Sequence, residues 1–298
     1  MYHWTHPVFT LPIFALLWGC VPPAEPRALP ETPPQRIIAT LPSITEVLFD
    51  MGLGDRIIAV SSYTKYPPET AAIEKIGGHY DLNREKIISL KPDLLILPAE
   101  DELLRKSLQP FSIPVLTVEH HTLTGVLDSY LVMGELFGED ILTTARQKRQ
   151  ELSDRLNEWE ARTPGTQGRT PIPTLISIER SRGTGRIQYL FVAGADSFLS
   201  EVVAKAGGKN AAASVELSAY QISAEGVIHL APEVIIDLQV DGTDTAQNLS
   251  DWQSLGNSVP AVRNNRILVL TDDFASIPGP RTPILIEMIA RYYESLEL

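Results

Sequence analysis

LNREKIISLKPDLLI (82–96) and ISAEGVIHLAPEVII (222–236) align without a gap. Glu85 falls on Glu225, Ile88 on Ile228, Leu90 on Leu230, Pro92 on Pro232 and Ile96 on Ile236. The first copy reads as a helix, a proline stop and a buried strand in close order. A second pair, ITEVLFDMG (44–52) and LSEVVAKAG (199–207), aligns on Glu46/Glu201, Val47/Val202 and Gly52/Gly207. Two widely spaced copies in one order imply two similar lobes, whereas a solenoid would need many short repeats. Two such lobes enclose a cleft, and clefts between lobes are where small ligands usually bind.

Outward from these anchors the chain alternates strand and helix. RIIAT (36–40) reads as a short buried strand, and Ser43-Ile44-Thr45-Glu46 has the spacing of a capping box opening a helix. That helix should stop at Gly52 and Gly54, before a strand in RIIAVSS (56–62) and another in IPVLTV (113–118). The second lobe repeats the plan with TLISIE (174–179), the helix SFLSEVVAKAGGKN (197–210), and strands in EVIIDL (233–238) and RILVLT (266–271). A helix from about Pro283 to Leu296 closes the chain. This alternation predicts α/β lobes whose parallel sheets are covered on both faces.

Between the copies lies EDILTTARQKRQELSDRLNEWEAR (139–162), without Gly or Pro and with Ile141, Leu142, Ala145, Leu152, Leu156 and Trp159 at helical spacing. As a helix it would be on the order of 36 Å long, enough to run the length of a two-lobed molecule. Its place between the copies favours a rigid strut over a surface helix of one lobe. The expected division is a signal segment 1–20, a Pro-rich tether 21–35, a first ligand-binding lobe 36–122, a helical connection 123–171, and a second ligand-binding lobe 172–298.

The 298 residues are 44% hydrophobic and 21% charged, an ordinary globular balance. A net charge of −12 speaks against nucleic acid as a partner, because a phosphate backbone needs a basic patch. MYHWTHPVFTLPIFALLWGC (1–20) has no acidic residue and reads as an export signal. Cys20 is the only cysteine, so the fold does not rely on an intramolecular disulfide. Its place after Leu17-Trp18-Gly19, ahead of the tether, resembles the bacterial lipobox, in which the cysteine is acylated and holds the exported protein to a membrane. The other reading is a free cysteine in an ordinary signal, which bulky Trp18 and the lack of Lys or Arg in the first residues favour.

Catalytic signatures are missing from the sequence: no phosphate loop, no GxGxxG after a strand, no nucleophile elbow and no HExxH helix. Four histidines follow the signal. His120 and His121 are adjacent and point in different directions from a strand end, and His229 aligns with Ser89, so these three read as structural. His79, after Gly77-Gly78 and before Tyr80, falls in a loop at the cleft mouth.

DRIIAVSSYTKYPPETAAIEKIGGHYDLNREKIISLKPDLLIL (55–97) resembles the first lobe of the substrate-binding proteins of bacterial ABC importers for cobalamin, ferric siderophores and haem, the cobalamin binders above all. The strut helix, FVAGADSFLSEVVAKAGGKN (191–210) and TDDFASIPGPR (271–281) recur at fitting intervals, so the likeness covers residues 36–298. It implies a class III periplasmic binding protein: two Rossmann-like lobes, a rigid interlobe helix, no catalysis, no cofactor and a monomer. It implies a ligand cleft formed by Tyr63, His79, Tyr80 and the loop Asp272, Asp273, Phe274, Ala275 and Ser276. Arg180 joins that set from its place after the TLISIE strand. Cobalamin or a related corrinoid is the first choice of ligand. His79 and Phe274 stand where cobalamin binders carry tryptophans, which keeps a ferric siderophore or haem as the alternative. Arg180, Arg182 and Arg186 would serve an anionic chelate, although a solvated loop is the reading their setting favours. In that family an acidic residue on each lobe docks on permease arginines, and the matching positions are Glu85 and Glu225. An exported metal-dependent enzyme would need a convergent His/Asp/Glu cluster that the sequence does not display, and a sensor lipoprotein would never meet a permease.

Overall fold

The computed structural model describes residues 29–78, 81–162, 170–240 and 245–296. The first lobe runs β1 (Ile37–Ala39), α1 (Pro42–Asp50), β2 (Ile57–Val60), β3 (Glu74–Lys75), α2 (Arg84–Ser89), β4 (Leu94–Pro98), α3 (Glu102–Leu108) and β5 (Val115–Val118). Then come α4 (Leu123–Gly134) and α5 (Glu139–Arg162). The second lobe holds β6 (Ile172–Arg180), β7 (Leu190–Ala193), α6 (Phe198–Lys205), β8 (Gly208–Asn210), β9 (Ala219–Ile222), α7 (Ala224–Leu230), β10 (Val234–Leu238), α8 (Thr245–Gln253), α9 (Pro260–Arg263), β11 (Ile267–Leu270) and α10 (Thr282–Ser295).

The first sheet has the order β3-β2-β1-β4-β5, and every pairing is parallel. β1 and β4 are buried along their whole length, as IIA and LLILP require of a sheet covered on both faces. The second sheet has the order β11-β10-β6-β7-β9, with β8 beside the first half of β6. Here the expectation of a wholly parallel sheet fails at one strand. β7 runs against both β6 and β9. The link from Arg180 to Leu190 is too short for a crossover, which takes roughly a dozen residues or more, so the chain folds straight back.

The internal repeat is visible in the backbone. Asn83 and Ser223 cap α2 and α7 by accepting from Lys86 N at 2.9 Å and Gly226 N at 3.3 Å. Lys91 (φ 48°) and Ala231 (φ 44°) then end both helices in the left-handed region, a residue before Pro92 and Pro232. Gly52 (φ 76°) and Gly207 (φ 98°) do the same after α1 and α6, and here the sequence supplies the residue that adopts this conformation at least cost.

The strut spans the range that its composition predicts, and its buried stripe is Leu142, Ala145, Leu152 and Leu156. Ile141 is half-buried; the Trp159 side chain lies outside the described residues. α5 packs against α4, α10 and α6. One hydrophobic cluster consequently runs from Ile37, Val47 and Leu94 in the first lobe, through Ala145 and Leu156, to Phe198, Val202 and Ile289 in the second. Cys20 and the first eight residues of the tether lie outside the described residues. Its last residue and the first of the lobe are pinned, Gln35 N and Arg36 N each donating to the Asp93 carboxylate at 2.8 Å.

Candidate ligand cleft and docking surface

In open α/β sheets, ligands bind beyond the carboxyl ends of the strands. Tyr63 stands there in the first lobe, shortly after β2, with 61% of its surface exposed. Its ring packs over Gly78, where a Cβ would sit 2.7 Å from a Tyr63 ring carbon and 2.7 Å from Asp81 Oδ1. Gly78 N donates to that same carboxylate oxygen at 2.7 Å, which fixes the loop end from which residue 79 departs. His79 and Tyr80 themselves lie outside the described residues.

The facing loop follows β11. Asp272 and Ser276 are exposed, Asp273 and Phe274 are half-buried, and Ala275 is sealed in the core. Ala275 is therefore a correction: its methyl group packs into the cluster shared by both lobes and cannot meet a cleft ligand. The loop is held by Arg281, a residue the sequence reading passed over. Its Nη1 donates to Asp273 Oδ1 at 2.8 Å, while Nη2 and Nε donate to the Glu46 carboxylate of the other lobe at 2.6 and 3.0 Å. The guanidinium carbon also lies 4.3 Å from the Tyr66 ring centre and 5.3 Å from that of Phe274. Both distances are within cation–π range.

Glu46 is accordingly no capping-box residue. α1 starts at Pro42 with Leu41 at its N-cap and no side-chain cap. Ser43 instead meets His120, its Oγ lying 2.9 Å from Nδ1. Burial raises the Glu46 carboxyl above its ordinary range, and the Arg281 guanidinium offsets only part of that rise. Burial also pushes the His120 imidazole down to about 4, so the ring is neutral near pH 7. Glu201, the repeat partner of Glu46, likewise leaves its own helix and accepts from Leu123 N at 2.9 Å, at the start of α4. Beside it Phe198 N donates to the His121 carbonyl at 3.0 Å.

Arg180 is the second correction. Its side chain is fully buried beneath the second lobe, where Nη2 meets Asp237 at 2.8 Å and Nη1 meets Asp251 at 3.0 Å. The guanidinium stacks on Trp252 at 5.2 Å. Asp237 accepts further bonds from Ser177, Gln239 and Trp252, and Asp251 from the amides of Gly183 and Gly185. A guanidinium committed in this way anchors the β6–β7 loop from below and offers nothing to the cleft. Of its neighbours, Arg182 is half-buried and Arg186 exposed.

Glu85 and Glu225 occupy the first turns of α2 and α7, and both are exposed. The Glu225 carboxyl is held below its usual range by its own backbone amide and by Ser223. His121 is exposed and pairs with Glu100 at 3.0 Å, opposite in direction to buried His120, and His229 is exposed on α7. Among the described residues no three His, Cys, Asp or Glu side chains cluster to hold a metal, and no helix is long and apolar enough to cross a membrane.

Arg281 and Tyr66 are the residues between the two lobes that motif reading missed. The available signal was Glu46 itself. A carboxylate among Ile44, Val47 and Leu48 on a buried helix needs a cation, and the GPR string after the Asp272–Ser276 loop supplies one.

A model of the periplasmic binding protein family matches residues 37–274. The vitamin B12-binding protein of Vibrio parahaemolyticus serotype O3:K6 is 29% identical over 279 residues, covering 89% of this chain and 91% of that protein. An uncharacterised ABC transporter substrate-binding lipoprotein of Bacillus subtilis is 26% identical, covering 88% of this chain and 80% of that one. Among solved structures, the periplasmic haem-binding protein of Roseiflexus sp. RS-1 in apo form superposes with a TM-score of 0.71 at 25% identity, over 87% of this chain and 98% of that one. The two α/β lobes, the strut between them and the family match have one reading: the chain belongs to the periplasmic binding protein family, with the class III fold.

Proposed function

We propose that this protein is a lipid-anchored substrate-binding protein that captures cobalamin or a related corrinoid and delivers it to an ABC import permease. The observation that carries the ligand is the end-to-end likeness to a vitamin B12-binding protein. Tyr63 and Phe274 face the cleft from the carboxyl ends of β2 and β11, where a corrin ring would be gripped. Exposed Glu85 and Glu225, equivalent by the repeat, form the docking pair, their carboxylates turned to solvent in the first turns of α2 and α7. Acylated Cys20 tethers the exported, monomeric protein to the membrane, in keeping with the lipoprotein relative. A ferric siderophore or haem is the second reading, supported by the haem-binding structural relative and by His79 and Phe274 in place of tryptophans.

The test is a titration of the protein with cyanocobalamin, cobinamide, haemin and a panel of ferric siderophores, followed by tryptophan fluorescence. Saturable tight binding of a corrinoid is expected. Binding of an iron chelate alone would move the ligand to the second reading, and binding of none would overturn both.

A further inference from the structure

Arg281 is the one described side chain that touches an acid and an aromatic ring from each side of the cleft. Glu46 and Tyr66 come from the first lobe, and Asp273 and Phe274 from the second. The side chain is 13% exposed, and that of Glu46 1%. A forked donor so placed fixes geometry in a way a point charge does not, because each edge of its plane is committed to a different carboxylate. Tyr66 is 43% exposed, so its ring has a face left for a ligand, and Phe274 is half-buried on the opposite rim. The two lobes are already joined by a packed core, which leaves small rocking motions as the freedom a clamp at the cleft floor would remove.

We propose that Arg281 is a positioning residue that locks Tyr66 and Phe274, one aromatic from each lobe, into a single rigid cleft floor for a flat metal macrocycle. The aromatic area that His79 and Phe274 give up relative to tryptophans is recovered here by a tyrosine, a phenylalanine and the cation between them. The proposal rests on capture of such a macrocycle, as argued above. It predicts that losing the clamp widens the spread of lobe positions and weakens macrocycle binding together.

The experiment measures the lobe-to-lobe distance by pulsed electron spin resonance in the full chain carrying Cys20→Ser, with spin labels at Ser89→Cys and His229→Cys. These two exposed sites are equivalent by the repeat, one on each lobe. Calorimetric titrations with cyanocobalamin and haemin run alongside. With Arg281 intact the distance distribution is expected to be narrow. Arg281→Met is expected to broaden it and to weaken the bound macrocycle about tenfold or more, the loss of roughly one good contact. Arg281→Lys and Glu46→Gln are expected to move both readouts the same way by less, and they serve if Arg281→Met fails to fold. An unchanged distribution overturns the proposal. A broadened distribution with unchanged affinity for a macrocycle that the parent binds also overturns it, since the clamp would then be only structural. If the parent binds neither macrocycle, the ligand reading has failed, and the distance distribution alone decides whether Arg281 clamps the lobes.

Discussion

Glu46 and Glu201, equivalent by the internal repeat, each reach out of their own lobe to the start of a helix beyond it. Glu46 grips Arg281, the residue before α10, and Glu201 accepts from Leu123 N, the first residue of α4. One seam is thus fastened twice by the same device, related by the pseudo-symmetry of the chain. The two fastenings differ in worth. Glu46→Ala leaves a largely buried guanidinium with Asp273 as its remaining acid and is expected to cost about 2–4 kcal/mol. Glu201→Ala removes a cap-like bond and should cost about 1 kcal/mol. Urea denaturation of the two variants and their double mutant checks both the order and the additivity.

His120 makes stability depend on pH in a stated window. Its folded value of about 4 lies below the ordinary 6.5, so the folded state binds fewer protons than the unfolded state between these limits. The stabilisation is therefore fully present above about pH 6.5 and is lost as pH falls toward 4, on the order of 3 kcal/mol in all. Carboxylates titrate over part of the same range, so the comparison is with His120→Gln. That variant should show a flatter acid limb in urea midpoints measured from pH 7 to pH 4. Parallel limbs for the two proteins would show that His120 is not the group responsible.

Arg180→Met is expected to be among the most damaging substitutions in the second lobe. It strands Asp237 and Asp251 with no guanidinium between them and should cost about 3–5 kcal/mol. Calorimetry would read this as a fall in Tm of about 10 °C. A change in ligand affinity with unaltered Tm would restore Arg180 to the cleft.

Glu85→Ala combined with Glu225→Ala should leave ligand affinity and Tm as they are, because both side chains are exposed and neither touches the cleft loops. Transport by cells that depend on this protein should be lost. Unchanged uptake would remove the docking role from these residues.

Gly125 tests the seam from the other side. A Cβ there would fall 1.6 Å from Glu119 Oε2 and 2.7 Å from the Glu119 carbonyl oxygen. Glu119 orders the turn that carries His121 and Thr122 against α6. Gly125→Ala should therefore push this turn off Phe198 and Glu201 and destabilise by about 1–3 kcal/mol. The urea midpoint would report it.

The repeat and the alternation of strand and helix made the lobes, the strut and most element positions legible before any coordinate. These are local signals, and local spacing carries them. What escaped was set by distant partners. Ser43-x-x-Glu46 matches a capping box letter for letter, yet Pro42 opens the helix earlier, and Glu46 answers to an arginine 235 residues away. Arg180 sits at the right end of the right strand for a ligand contact, but the acids that claim it lie 57 and 71 residues on and have no motif of their own. Ala275 belongs to a cleft loop by sequence and to the core by the turn of a short 3-10 helix. β7 (Leu190–Ala193) carries no strand signal in the sequence reading, and its reversal follows from the short link after β6.

The hydrophobic cluster that passes from β1 through the strut to α10 makes the two lobes a single melting unit. A cut in the strut would not release two half-proteins, since each would carry away an open apolar wall. The boundary that the eye draws at the cleft is one of shape, and heat or denaturant should not find it.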